Sequence, residues 1–342
     1  MSDNNINNTY LRTNFKIPPD PQEKPEAGKC NNYNLRKNNG AAKWIVMHYT
    51  VCDLNETIAL FTNNTSNVSS HYVINTDGTI YRLVPDEYRA WHAGRGKLEP
   101  DSDLNPVDPT LINSRFFGSY GSANNLKENS TLNPHIVTSI LDNDMNSWSI
   151  GIEHVASGKE PFTDQQINAS IGLVKTLISK YEINPKLIIA HSDWIPSRKI
   201  DPGIYFPWDK FAKASFGFYS FVSRKDNPKV IISYNDKTKQ DRNKIEEVQK
   251  LLEKFGYPII KADNSNLGLL DDDTISAMLA FNIHYTGDIL NNIALKKQWD
   301  ILWSNSSNKD ARGILATWSE NSENVLNDLL NSMHLNKKMD KN

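Results

Sequence analysis

The stretch KWIVMHYTV, residues 43–51, carries a short apolar run, Trp44 to Met47, straight into a histidine, His48. Too short for a helix and containing a Trp and β-branched residues, it predicts a buried strand over 43–48. The arrangement returns in KLIIAHSDW, residues 186–194, where Leu187 to Ala190 lead into His191. Two strands that each deliver a histidine at the C-terminal end raise the question of whether those histidines meet.

The elements between and around them are legible. DLNETIALFTNN (53–64) reads as a short helix with Asp53 or Asn55 as N-cap. HYVINTDGTIYRLV (71–84) has a hairpin signature, with Asp77-Gly78 at the turn and Val73, Ile74, Ile80, Tyr81 and Leu83 on its arms. SWSIGIEHVA (147–156) alternates Trp148, Ile150 and Ile152 as a strand. Thr163 with Gln166 forms a capping-box pattern that opens a helix carrying Ile167, Ile171, Val174 and Ile178 and ending near Tyr181. Strand, helix, hairpin, strand, helix, strand predicts an α/β layered domain with helices packed on a sheet.

The chain has 342 residues, which suggests two domains at roughly 150 residues each. The net charge of −2 gives no electrostatic footprint for nucleic acid or an anionic membrane. No stretch approaches the roughly 20 apolar residues of a transmembrane helix. Residues 1–40 are polar and Pro-rich and read as a flexible arm. No secretory signal is legible there, so sequence alone points to the cytoplasm. Residues 95–147 are Asn-, Ser- and Pro-rich with weak periodicity and read as an insertion. The two cysteines, Cys30 and Cys52, exclude a disulfide framework but leave a single bridge open. They also leave any metal to histidines and carboxylates.

HSDWIPSRKIDPG (191–203) decides the chemistry. Ten residues beyond His191 stands Asp201, followed by Pro202-Gly203. His48, His191 and Asp201 form a ligand set suited to tetrahedral zinc with a fourth position left for water, the pattern of a catalytic site.

These residues resemble a known family, the type-2 zinc-dependent N-acetylmuramoyl-L-alanine amidases, which share a fold with the peptidoglycan recognition proteins. The resemblance is carried by WIVMHYT (44–50), VSSHYVINTDGTIYRLVPDEYRAWHAG (68–94), SIGIEHV (149–155) and IIAHSDWIPSRKIDPG (188–203). It implies a mixed central β-sheet flanked by helices over 41–222, with zinc held by His48, His191 and Asp201. It further implies that Glu153 is the catalytic carboxylate, general base and then acid, and that Lys199 stabilises the oxyanion. His71 and His92 match the family pattern and border the substrate groove on this reading, with packing or support of the metal ligands as the alternative. Tyr49, Tyr72 and Trp91 are candidates to stack on sugar or peptide, although most aromatics in such positions are core. His154 and His284 have no nameable partner.

The implied activity is hydrolysis of the amide between N-acetylmuramic acid and L-alanine in peptidoglycan or muropeptides. That substrate argues for periplasm or cell envelope against the missing signal. A non-catalytic peptidoglycan-recognition module and a zinc peptidase acting on the stem peptide are the alternatives.

Beyond a polar stretch at 223–243 the character changes. KIEEVQKLLEKFG (244–256) places Ile245, Val248, Leu251, Leu252 and Phe255 on one helical face, with Gly256 as C-cap. DDDTISAMLAFNIHY (271–285) reads as a second helix capped by Asp271–Asp273, with further helices near 291–304 and 320–334. This small all-α module, residues 240–342, resembles over about 240–290 the peptidoglycan-binding domains often attached to such amidases, with a helical cap packed on the catalytic domain as the alternative. The polar linker predicts few contacts across the boundary and a catalytic domain that folds without the module.

Overall fold

The structure, a computed structural model, describes residues 32–36, 42–94, 144–235, 241–257, 259–261 and 263–339. Residues 1–31, 37–41 and 95–143, and with them most of the expected arm and insertion, lie outside the described residues.

The α/β reading holds. A five-stranded sheet is built from β2 (Trp44–Tyr49), β3 (Tyr72–Ile74), β4 (Ile80–Arg82), β6 (Ser149–His154) and β7 (Ile188–Ala190), in the order β4-β3-β6-β2-β7. The pairs β3–β6, β6–β2 and β2–β7 are parallel and β3–β4 is antiparallel, so the sheet is mixed. The central strands β2 and β6 are buried along their whole length; β2 accordingly runs apolar from Trp44 to Met47, while β6 alternates Ile150 and Ile152 with Gly151 and Glu153. The hairpin turn closes with Gly78 N–H donating to Asn75 O at 2.9 Å, with Gly78 at φ 84°.

Alternation along β2 and β6 divides the chemistry between two faces. Ile45, Met47, Tyr49, Ile150 and Ile152 join one large core under the helix α3 (Asp164–Tyr181). His48 and Glu153, paired across β2 and β6, project from the other face at the C-terminal ends of the parallel strands. A ligand site at that end follows from the general geometry of parallel sheets.

The helices start where their caps predict. Asp53, not Asn55, caps α1 (Leu54–Thr62), and Glu56 completes a capping box. Thr163 caps α3, but the Gln166 side chain does not close the box; it donates to Ile74 O and Val155 O, tying helix to sheet. Leu173, Val174 and Leu177 are buried while Ile171 and Ile178 are half-buried, so the buried face of α3 is turned slightly from the expected one. Trp148 belongs to a one-turn helix, α2 (Met145–Trp148), and the strand begins at Ser149.

The stretch 32–36 departs from the flexible-arm reading. Tyr33–Leu35 form a strand, β1, paired antiparallel with β5 (Tyr88–Ala90). Arg36 is buried, and its guanidinium donates to the carbonyls of Asp86, Asn146, Ser147 and Ser149. An isolated guanidinium cannot be buried cheaply, and four carbonyl acceptors replace its water.

After His191 come a one-turn helix, α4 (His191–Trp194), and α5 (Trp208–Lys213). The C-terminal region consists of α6 (Arg242–Phe255), α7 (Asp272–Phe281), a π-helical turn over Asn282–Thr286, α8 (Asp288–Asn291), α9 (Ile293–Ser304), α10 (Lys309–Leu315) and α11 (Glu320–Met339). A two-stranded ladder, β8 (Val230–Ile232) with β9 (Trp318–Ser319), accompanies these helices, so the region is mostly rather than wholly helical. Asp271 caps α7 and Gly256 ends α6 at φ 125°, as the caps predict.

The expectation of few contacts across the boundary fails. One continuous hydrophobic cluster runs from the sheet through Phe206, Trp208 and Phe211 to Phe255, Tyr257, Phe281, Trp299 and Trp318. The polar linker composition reports solvent exposure of that stretch alone and carries no information on how the flanking apolar faces pack.

Candidate metal centre

The two histidines meet. His48 Nδ1 lies 3.1 Å from His191 Nδ1, and each of these atoms is 3.0 Å from Asp201 Oδ2. Among the described residues these three form a group able to hold a metal ion. Donor atoms bound about 2.0–2.2 Å from a tetrahedral ion stand roughly 3.3–3.6 Å apart, so the observed triangle is within a few tenths of an ångström of that arrangement.

The second nitrogen of each ring settles its tautomer. His191 Nε2 is 3.1 Å from the carbonyl of Ala93, an acceptor only, so Nε2 carries the hydrogen and Nδ1 presents a lone pair. His48 Nε2 is 3.0 Å from His92 Nδ1, and His92 Nε2 is 3.2 Å from Ser149 Oγ, whose hydroxyl donates to Met145 O at 2.7 Å. Read as a chain of donors, His48 Nε2–H to His92, His92 Nε2–H to Ser149 and Ser149 to the carbonyl, every step is satisfied with His48 Nδ1 free to bind a cation. Burial, and then the neighbouring His191, push His48 down to about 4, so its ring is neutral at pH 7. Burial alone would raise Asp201, but charge and hydrogen bonds from protons on His191 and His48, whose place a bound cation would take, hold it well below the usual carboxylate range. A neutral His48 and an ionised Asp201 are the states metal ligation needs.

Glu153 sits beside this triangle, opposite His48 in register, and its Oε2 is buried without a hydrogen-bond partner. Burial, then the Asp201 charge, hold its carboxyl well above its ordinary value, against the pull of Lys199. Lys199 is half-buried and close enough to act on both Glu153 and His48. A buried carboxyl oxygen with no protein donor, beside a group able to hold a metal, is free to exchange a proton with a bound ligand.

The remaining sequence candidates take other places. Tyr49 and Tyr72 lie in the core on the sheet face opposite His48, and Tyr72 Oη donates to Asp86 Oδ1 at 2.6 Å. Strand alternation, one residue beyond His48 and His71, puts them there. His71 is wholly buried; its Nδ1 accepts from Gly151 N–H at 3.0 Å and its Nε2 faces Tyr88 O at 3.0 Å. It is a packing node beneath His92 instead of a groove residue. Trp91 is half-buried and its indole N–H donates to Asn34 Oδ1, anchoring it to β1. His92 acts on His48, as described.

Several residues of the site were not singled out from sequence. Asn146 Oδ1 accepts from the backbone N–H of both His92 and Ala93, fixing the loop that faces both ligand rings. His154, without a nameable partner in the sequence, contacts the His48 carbonyl through Nδ1 at 2.9 Å and Ser170 Oγ through Nε2 at 2.8 Å. Gly151 makes room for His92: a Cβ there would lie 2.5 Å from His92 Cγ. A glycine inside an otherwise strong strand was the available signal for such a close approach.

Residues 38–204 match the family model described as N-acetylmuramoyl-L-alanine amidase. The chain is 30% identical over 189 residues to the N-acetylmuramoyl-L-alanine amidase AmiD of Escherichia coli K12, covering 53% of this chain and 56% of that protein. It is 30% identical over 145 residues to the 1,6-anhydro-N-acetylmuramyl-L-alanine amidase AmpD of Haemophilus influenzae, covering 42% and 56%. The chain thus spans little more than half the length of these curated relatives. Among solved structures, the E. coli AmiD complex with anhydro-N-acetylmuramic acid-L-Ala-D-gamma-Glu-L-Lys shares the fold, with a TM-score of 0.54 at 21% identity, covering 87% of this chain and 92% of that one. The family segment, the curated relatives and the shared fold agree, and residues 38–204, a little under half of the chain, are similar to the N-acetylmuramoyl-L-alanine amidase family.

Proposed function

We propose that this protein is a zinc amidase that hydrolyses the amide between the lactyl group of N-acetylmuramic acid and L-alanine, in peptidoglycan or in muropeptides released from it. The observation that carries the reading is the His48–His191–Asp201 triangle with the unpartnered Glu153 oxygen at its edge. Two imidazoles and one carboxylate are a donor set of borderline hardness that suits zinc. Zinc held by these residues would supply Lewis-acid polarisation of the scissile carbonyl and a water acidic enough to attack at neutral pH.

The chain's own residues do the rest. Glu153 takes the proton of the attacking water on its buried oxygen and hands it to the departing L-alanine amine, since an amide nitrogen leaves only when protonated. Its raised affinity for a proton suits it to both halves of that transfer. Lys199 places positive charge where the tetrahedral oxyanion develops. His92, Ser149 and the Ala93 carbonyl hold the two ligand rings in one tautomer and one orientation throughout.

The test is mass spectrometry of a defined muropeptide after incubation with the zinc-loaded protein. Release of the intact sugar with a free lactyl carboxylate, and of a peptide beginning at L-alanine, is expected. A cut within the peptide would make the protein a stem peptidase. Binding without any new product would make it a recognition module.

A further inference from the structure

The carboxylate of Asp193, two residues beyond the ligand His191, is completely buried yet lies outside the metal triangle. Its Oδ2 accepts from the backbone N–H of Ala190 at 2.9 Å, closing the turn that carries His191 off β7. The same oxygen accepts from His284 Nδ1 at 2.7 Å, and Oδ1 accepts from the Tyr257 hydroxyl at 2.7 Å. Both of these donors belong to the C-terminal region, more than fifty residues past the family segment. His284 is fixed in turn: its ring stacks on Trp208 at 3.8 Å between centroids, and it sits in the π-helical turn Asn282–Thr286, a backbone irregularity that often accompanies function.

The same region grips the ligand loop twice more. Arg312 donates to the carbonyl of Pro196 at 2.5 Å, midway between His191 and Asp201. Trp299 packs where a Cβ on Gly203 would lie, 3.1 Å from its ring, two residues past Asp201, and its indole N–H donates to Gly158 O at 3.2 Å. His48 needs no such support, since β2 is held on both sides by β6 and β7. His191 and Asp201, by contrast, stand at the two ends of a loop, residues 191–203, held at its start, middle and end by the C-terminal helices.

We propose that Tyr257 and His284 are positioning residues for the metal centre: by clamping Asp193 they orient His191, so that zinc retention depends on the C-terminal region. That region is then a working part of the metal site. The inference rests on the metal reading above but not on which bond is cleaved.

The test uses the full chain and zinc alone as probe. Zinc affinity is measured by competition with a chromophoric chelator, beside thermal unfolding of the metal-free protein and kcat and KM on a muropeptide. Tyr257→Phe removes one oxygen and keeps the ring, so folding is preserved. Its zinc dissociation constant should rise about tenfold, the lower end of the range for outer partners of metal ligands. His284→Leu should raise it by about tenfold to a hundredfold, whereas His284→Asn, whose amide N–H can stand near Nδ1, should restore most of the affinity. kcat at subsaturating zinc should fall with KM little changed. Lys244→Met, which removes a surface pair with Glu323 in the same region, should leave zinc affinity untouched. Tyr257→Phe binding zinc as tightly as the parent would overturn the proposal, as would an equal loss in Lys244→Met. A parent chain that binds no zinc would instead sink the metal reading itself.

Discussion

Replacing Gly151 by alanine puts one methyl group under the metal site and tests how tightly its supports are packed. A Cβ at this position would stand 2.5 Å from His92 Cγ and 2.7 Å from its Nδ1, where 3.4 Å is the onset of ordinary contact, so the ring must withdraw by about 0.9 Å. It has nowhere to go without loss. His92 Nδ1 is 3.0 Å from His48 Nε2 and its Nε2 is 3.2 Å from Ser149 Oγ, and a displacement of that size takes both beyond hydrogen-bond range. Overpacking of a closed core costs roughly 1–3 kcal/mol, and each lost hydrogen bond about 1 kcal/mol more, giving roughly 3–5 kcal/mol in all. With His48 no longer held through Nε2, zinc affinity should fall about tenfold to a hundredfold. Denaturant midpoints of the metal-free protein and chelator competition read the two effects separately. The control is Gly172→Ala in α3, where an added Cβ meets nothing within 4 Å and should stabilise by up to about 1 kcal/mol. A Gly151→Ala protein as stable as the parent and equal to it in zinc affinity would refute the account of His92 as a fixed support.

His48→Ala and Asp201→Ala should each lose bound metal, measured by elemental analysis, together with activity; full activity after exhaustive chelation would exclude a metal role. Glu153→Gln should keep its zinc but lose about a hundred- to ten-thousand-fold in turnover, and unchanged kinetics would return Glu153 to a structural role. The same substitution tests the electrostatics. A carboxyl whose folded value is raised favours the fold below its unfolded value, and that contribution is lost as pH rises through the folded one. Metal-free Glu153→Gln should therefore match the parent in acid and become the more stable protein as pH climbs past the ordinary glutamate range, read from urea midpoints across pH. A chain ended near Lys225 should lose its cooperative unfolding transition, because truncation strips Tyr257 and His284 from the buried Asp193 and opens the continuous core. Exposing only a few of those buried side chains costs about 1.5–3 kcal/mol each, comparable in sum with the whole stability of many domains. A sharp melt with parental zinc affinity would show the helices to be dispensable.

Much of this protein was readable along the chain. A short apolar run ending in histidine is a local pattern, and its outcome, a buried strand delivering His48 or His191 to its C-terminal end, depends on a handful of adjacent residues. Caps at Asp53, Thr163 and Asp271 are local for the same reason. The choice of His48, His191 and Asp201 as one metal set came from residue chemistry and from the family motifs, and the triangle agrees with it. What the chain could not show was what covers each sheet face. Tyr49 and Tyr72 each follow a histidine and alternate to the opposite sheet face, and that this face is core instead of groove is decided by the elements packed on it. Polar partners were equally hidden: Arg36, Gly151 and His154 acquire their roles through strands brought together from distant parts of the chain. Asp193 and His284 stand 91 positions apart, with nothing in either local window to name the other. Burial decides such pairs, since a carboxylate taken out of water requires donors, and only the closed tertiary structure determines which donors are near enough to serve.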